Sequence, residues 1–211
     1  MAAPTLVMAS RNPGKIRELK DLLADLGVRL LSLTDFPELP EIPETGATFA
    51  DNAAAKAREV ARRTGLPALA DDSGLEVAAL GGRPGVFSAR YAQDRTGARP
   101  PGDRDNWQKL LDEMAKVPWE RRQARFVCAI ALARPDGRLF RAQGECRGYI
   151  ALTPEGTEGF GYDPVFWVPA YGATMASLGP EIKNLISHRA QALAALKRLL
   201  KAQGGAVFGQ A

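Results

Sequence analysis

Two rhythms of apolar positions run along this chain: short consecutive apolar runs, and longer stretches with apolar residues three and four apart. They predict strands and helices in alternation. Thr5-Leu6-Val7-Met8-Ala9 predicts a first strand leading into the polar loop Ser10-Arg11-Asn12-Pro13-Gly14. Ile16, Leu19, Leu22, Leu23 and Leu26 then fall on one helix face, and Gly27 stops the helix. Val28 to Leu33 reads as a second strand, and a Pro-rich loop from Phe36 to Pro43 leads to Glu44-Thr45-Gly46. Thr48, with Asp51 three residues on, caps a helix that runs through Arg63 and ends at Gly65. The next apolar run, Leu69-Ala70, reads as a strand stopping at Asp71-Asp72-Ser73, with Gly74 turning the backbone.

Beyond it, Gly81 to Gly85 forms a tight loop, and the Arg- and Pro-containing stretch from Asp94 to Arg104 reads as a lid before a helix near Asp105 to Lys116. Ala124 to Arg134 and Arg138 to Ile150 flank Pro135-Asp136-Gly137, a hairpin signal. A short strand at Val165 to Val168 follows, then a helix from near Ser187 that Gly204-Gly205 ends. The pattern predicts an α/β fold, a mixed sheet flanked by helices, in one bilobed domain over residues 1–211.

Composition narrows the class. With 45% hydrophobic and 25% charged residues, the chain is an ordinary globular one, and disorder and coiled coil are disfavoured. A net charge of +4 suits an anionic ligand, but Lys and Arg are spread rather than massed, so no nucleic-acid face is indicated. Cys128 and Cys146 have no metal-site spacing and read as reduced thiols. No leader pattern opens the chain and no apolar run reaches the ~20 residues of a membrane span, so a soluble, cytoplasmic protein is expected. With His188 the single histidine, carboxylate oxygens are the expected metal ligands, which favours Mg²⁺.

Four segments carry candidate chemistry. Ser10-Arg11-Asn12-Pro13-Gly14-Lys15 is a strand-to-helix loop whose free amides make an anion site, equally readable as an ordinary capped helix start. Asn52 and Lys56, four apart, share a helix face and can reach one site, although such pairs more often form a solvated face. Glu44, Asp71 and Asp72 can together form a carboxylate cluster holding Mg²⁺ against phosphate oxygens. Phe160-Gly161-Tyr162-Asp163-Pro164 brings an aromatic ring and a carboxylate to a loop, for stacking or as a buried corner, and Lys183 with Ser187-His188-Arg189 gathers donors at a helix start.

In this order, the motifs closely resemble those of the inosine triphosphate pyrophosphatase family. They are Ser10-x-Asn12-x-x-Lys15, Glu44-Thr45-Gly46, Phe49-x-x-Asn52-Ala53-x-x-Lys56-Ala57, Ala70 to Leu75, Pro84 to Tyr91, Phe160 to Pro164 and Ser187-His188-Arg189, and they span nearly the whole chain. The resemblance implies a long central mixed sheet, two lobes with a cleft between them, and a homodimer that acts on a small nucleotide, not on nucleic acid or a membrane. It implies Mg²⁺-dependent hydrolysis of ITP, dITP and XTP to monophosphate and pyrophosphate, which keeps deaminated purines out of DNA and RNA. Carried over by position, Ser10, Arg11, Asn12, Pro13, Gly14, Lys15 and Lys56 hold polyphosphate, Ser73 touches substrate, Glu44 and Asp72 bind Mg²⁺, and Asp72 accepts the proton. Phe160, Gly161, Tyr162, Asp163, Lys183, His188 and Arg189 match the base-recognising set. The stretch from Asp94 to Arg104 looks variable and is expected to touch none of these. A Maf-like nucleotide pyrophosphatase is the nearest alternative; a non-catalytic nucleotide sensor or a nucleic-acid module comes from another class, and the intact carboxylates argue against it.

Overall fold

The computed structural model describes residues 3–202. In chain order the elements are β1 (Thr5–Met8), α1 (Pro13–Leu23), β2 (Arg29–Ser32), α2 (Phe49–Thr64), β3 (Ala68–Val77), α3 (Gln93–Thr96), α4 (Asp103–Glu113), β4 (Gln123–Ala133), β5 (Leu139–Ile150), β6 (Phe166–Val168), β7 (Ala173–Thr174), α5 (Gly179–Ile186) and α6 (His188–Ala202). The strands form one mixed sheet in the order β2-β1-β3-β4-β5-β6-β7. β1 is parallel to both β2 and β3, and α1 and α2 supply the crossovers that parallel neighbours require. β5, β6 and β7 are antiparallel.

Local chemistry accounts for the element ends. The Asn12 side chain accepts from the Lys15 amide and Pro13 opens α1, where its missing N–H costs nothing. Thr48 caps α2 by accepting from the Asp51 amide, and Gly65 ends it at φ +67°. At the β4–β5 hairpin the Arg134 amide donates to the Arg138 carbonyl at 2.9 Å, and Gly137 takes φ +90°. The stop signal at Gly204-Gly205 lies outside the described residues.

One expectation is corrected. β3 does not stop at Asp71-Asp72 but continues to Val77, and Gly74 is a strand residue. The ends belong instead to β1: Met8 pairs with Leu69, so Asp71 and Asp72 stand past the last residue of β1, beside the loop that starts α1. Buried Leu75 and Val77 keep the strand in the sheet beyond the polar residues. The stretch expected as a lid holds the short helix α3, and the ion pairs Arg95–Asp112 and Lys109–Asp94 tie it to α4.

The chain divides into two compact units, one of residues up to Asp72, Cys128–Gly144 and those from His188 on, the other of Ser73–Val127 and Glu145–Ser187. Each has its own core. In the first, Leu6, Met8 and Leu69 pack with Leu19 and Leu23 of α1 and Leu193 and Leu196 of α6. Gly144 permits close packing there, because a Cβ on it would lie 2.3 Å from the Ala192 amide nitrogen and 2.4 Å from the His188 carbonyl oxygen. In the second, Leu75, Val77, Leu110, Phe126, Tyr162 and Phe166 are central. Arg122 is buried beside that core, its guanidinium donating to the carbonyls of Ile150, Met114, Val117 and Ala151. Among the described residues, no helix is long and apolar enough to cross a membrane.

Candidate active site

In the first unit, charged side chains converge from α1, the loop before α2, α2 itself and β3. Lys56, on the inner face of α2, donates to Glu44 Oε1 at 2.7 Å and to the Asp71 carbonyl at 2.9 Å, and lies 3.5 Å from Asp72 Oδ1. Asn52, one turn earlier, donates to Asp72 Oδ2 at 2.9 Å and accepts from the Gly46 amide at 2.7 Å. Gly46 cannot easily be larger, since a Cβ there would meet Asn52 Oδ1 at 2.7 Å. The predicted shared face of Asn52 and Lys56 is therefore a buried face and not a solvated one, both residues being directed to Asp72.

Consecutive strand residues point to opposite faces, and Asp71 and Asp72 divide accordingly. Asp72 meets Asn52 and Lys56, whereas Asp71 Oδ2 meets Lys15 Nζ at 3.3 Å and Arg189 Nη2 at 2.8 Å. Arg189, 1% exposed, also pairs with Glu18 of α1. The expected cluster of Glu44, Asp71 and Asp72 is thus not formed. Among the described residues, no three His, Cys, Asp or Glu side chains gather closely enough to hold a metal. Two carboxylates on one ammonium, Glu44 and Asp72, form the oxygen donor set that remains, and this fits an ion that takes one or two carboxylates plus water and phosphate oxygens.

The electrostatics differ between the two aspartates. Burial raises the pKa of Asp71, but Lys15, Arg189 and Lys56 outweigh it and hold the carboxyl well below its ordinary range. For Asp72 burial wins over Lys56 and Lys15, with Glu44 adding to the rise, so this carboxyl sits above its ordinary value. Burial disfavours the Lys56 ammonium, yet Asp72, Glu44 and Asp71 together raise its pKa. A carboxylate made more basic, beside an ammonium kept charged, suits proton transfer next to an anion.

In the loop before α1, side chains already occupy part of the hydrogen-bonding capacity. Ser10 Oγ accepts from the Asn12 amide and Asn12 from the Lys15 amide, while the Arg11 guanidinium donates to the Leu39 carbonyl at 2.7 Å and so ties down the Pro-rich loop. Pro13 and Gly14 form the first turn of α1. His188 is buried at the start of α6 and belongs, with Arg189, to the first unit. Ser73 opens the second unit, in β3.

The rest of the expected base set lies in the second unit. Asp163 accepts from the Phe160 amide at 2.9 Å and pairs with Lys183, whose ammonium stands 4.8 Å from the centre of the Phe160 ring. Gly159, at φ +82°, leaves room for that pair, since a Cβ would fall 2.0 Å from Asp163 Oδ2. Tyr162 is a core residue whose hydroxyl donates to the Ser88 carbonyl at 2.8 Å. The expectation that the Asp94 to Arg104 stretch touches no site residue is corrected: Asp103 Oδ2 accepts from the Gly161 amide at 2.7 Å. Glu18 is the other residue the sequence reading missed. It sits one turn from Lys15 on α1, and a carboxylate three residues from a lysine was the available signal.

Comparison with known proteins bears on this arrangement. The model described as the Ham1 family matches residues 6–199. A dITP/XTP pyrophosphatase of Geobacillus kaustophilus is 54% identical over 192 residues, covering 90% of this chain and 91% of its own. The protein of that name from Geobacter sulfurreducens is 53% identical over 199 residues, covering 94% and 98%. The solved structure of a HAM1 protein from Coxiella burnetii superposes with a TM-score of 0.82 at 44% identity, over 94% of this chain and 99% of that one.

Proposed function

The chain belongs to the Ham1 family, and from that premise we propose that it hydrolyses non-canonical purine nucleoside triphosphates, dITP, XTP and ITP, to the monophosphate and pyrophosphate. The observation that carries the site assignment is the grip on Asp72 by Asn52 at 2.9 Å and Lys56 at 3.5 Å, which fixes one buried carboxylate in place beside a cation. Asp72 takes a proton from water as its oxygen bonds to the α-phosphorus, and the bond to the bridging oxygen breaks, releasing pyrophosphate. Lys15 and Lys56 carry the positive charge that receives the polyphosphate, and Ser10, Asn12 and the amides opening α1 orient it. Glu44 and Asp72 are the residues that hold Mg²⁺, which when bound neutralises phosphate charge. Arg189 and Glu18 act through Asp71, fixing its carboxylate against Lys15.

Base choice is assigned to the second unit. The Phe160 ring offers a stacking face, and the Lys183 ammonium is a donor suited to the O6 acceptor of hypoxanthine or xanthine. Adenine presents an amino donor there, which the ammonium cannot hydrogen-bond, so that contact is lost and donor faces donor, at a cost of about 1–3 kcal/mol. The homodimer, the cytoplasmic location and the clearing of deaminated nucleotides rest on the family resemblance. The test is kcat/KM for ITP, XTP, GTP and ATP with Mg²⁺, reading pyrophosphate and orthophosphate separately. ITP and XTP exceeding ATP by tenfold or more, with pyrophosphate as product, is expected; equal values for ITP and ATP would favour a general nucleotide pyrophosphatase, and orthophosphate as first product would overturn the reading.

A further inference from the structure

The loop Gly159–Asp163 places Phe160, and its two successive amides each donate to a carboxylate. Phe160 N–H goes to Asp163 at 2.9 Å, from within the loop. Gly161 N–H goes to Asp103 at 2.7 Å, across 58 residues of sequence. Gly161 itself sits at φ +64°, and a loop that turns on left-handed glycines has little intrinsic preference for one shape. External contacts must therefore select it.

Two such contacts converge on the loop from one framework. The Tyr162 hydroxyl is held by the Ser88 carbonyl, and Asn106 of α4 binds the same turn by accepting from the Ala92 amide at 2.9 Å and donating to the Ala89 carbonyl at 3.1 Å. Asp103 stands one turn before Asn106 at the start of α4, so a single helix anchors the 85–92 turn with one side chain and the 159–163 loop with another. All these residues lie in the second unit. We infer that Asp103 is a positioning residue for purine recognition: its carboxylate fixes the Gly161 peptide and thereby the angle of the Phe160 ring under Lys183. The inference rests on the proposed function and deepens it. It assigns to α4 a part in base binding and none in holding phosphate.

A carboxylate in the first turn of a helix also favours the helix itself, so the test must separate the two roles. Asp103→Ala removes the acceptor, Asp103→Asn keeps one, and Asp105→Ala loosens the same helix start, where Asp105 caps the Gly102 amide, without touching Gly161. For Asp103→Ala we expect KM for ITP to rise about tenfold with kcat changed less than twofold, the usual scale for a hydrogen bond to a charged group. Inorganic tripolyphosphate, used as a competitor that carries no base, should inhibit the variant with the same constant as the wild type. Asp103→Asn should restore most of KM, and Asp105→Ala should leave it unchanged. An unaltered KM in Asp103→Ala, an equal weakening of tripolyphosphate, or the same KM rise in Asp105→Ala would overturn the inference. Hydrogen exchange at the Gly161 amide, faster in Asp103→Ala and protected in Asp103→Asn, reads the contact without any nucleotide. A wild-type chain that releases no pyrophosphate would defeat the proposed function while leaving that exchange result standing.

Discussion

Arg189 grips Asp71 with two nitrogens on one oxygen, Nε at 3.1 Å and Nη2 at 2.8 Å from Oδ2, and both residues are almost wholly buried. A buried charge pair contributes little net stability, but breaking it leaves an uncompensated charge, and that is costly. Asp71→Asn should therefore destabilise by about 3 kcal/mol at pH 7, on the scale measured for such breakage. The pH dependence has a definite sign. Lys15, Arg189 and Lys56 together overcome burial and hold Asp71 below its unfolded pKa, so its contribution is complete above about pH 4 and is lost as pH falls towards the folded value. Urea melts of both proteins from pH 7 to pH 2 should show the gap constant at the top and closing at the bottom.

Asp72→Asn keeps the shape and the bond to Asn52 but removes the basicity. Turnover should fall at least about 10²-fold, the scale of losing a general base, with the circular dichroism spectrum unchanged. Near-normal pyrophosphate release from a folded variant would make Asp72 a structural residue.

Gly144→Ala tests the packing of β5 on α6. Because the new methyl would lie 2.3 Å from a backbone nitrogen, relief requires the helix to move, at a cost of about 1–3 kcal/mol. A fall in the midpoint of urea unfolding measures it, and an unchanged midpoint would mean that α6 shifts freely.

Burial pushes the Cys128 thiol up to about 12, with Asp71 adding to it, and the Cys146 thiol up to about 11, with Asp163 adding to it. Neither is a thiolate at pH 8, so the native protein should react with Ellman's reagent far more slowly than the denatured chain, which should release two equivalents. Since both folded values lie above the unfolded ones, the thiols oppose unfolding below about pH 8.5, and this contribution is lost as pH rises further.

Much of this was legible in the chain because local rules settled it. The Thr48 cap, the Gly65 stop, the Pro135-Asp136-Gly137 hairpin and the Asn52–Lys56 spacing each depend on neighbours within a few residues. The path of β3 was not, because Asp-Asp-Ser-Gly carries turn chemistry, and the strand goes on past its last pairing with β1 through its place beside β4 in the sheet, a contact between segments far apart in the chain. Arg189 was legible as a charge at a helix start but not as the partner of Asp71, 118 residues away. Asp103 was hidden for the same reason. The helix α5 was within reach of sequence reading, since Pro180 in its first turn is a recognised start signal, whereas β7, two residues long, exists only through its pairing with β6.

Lys56 has one more consequence. By sitting between Glu44 and Asp72 it acts as a resident counter-ion that offsets, without cancelling, the repulsion between the two acids when no divalent ion is present. Folding is therefore expected to need no divalent ion, and the newly made chain should reach its final shape in a metal-poor medium. Chelation should silence such a protein without unfolding it, lowering its thermal midpoint by no more than the loss of the bound ion accounts for, and adding the ion back should restore turnover at once with no refolding delay.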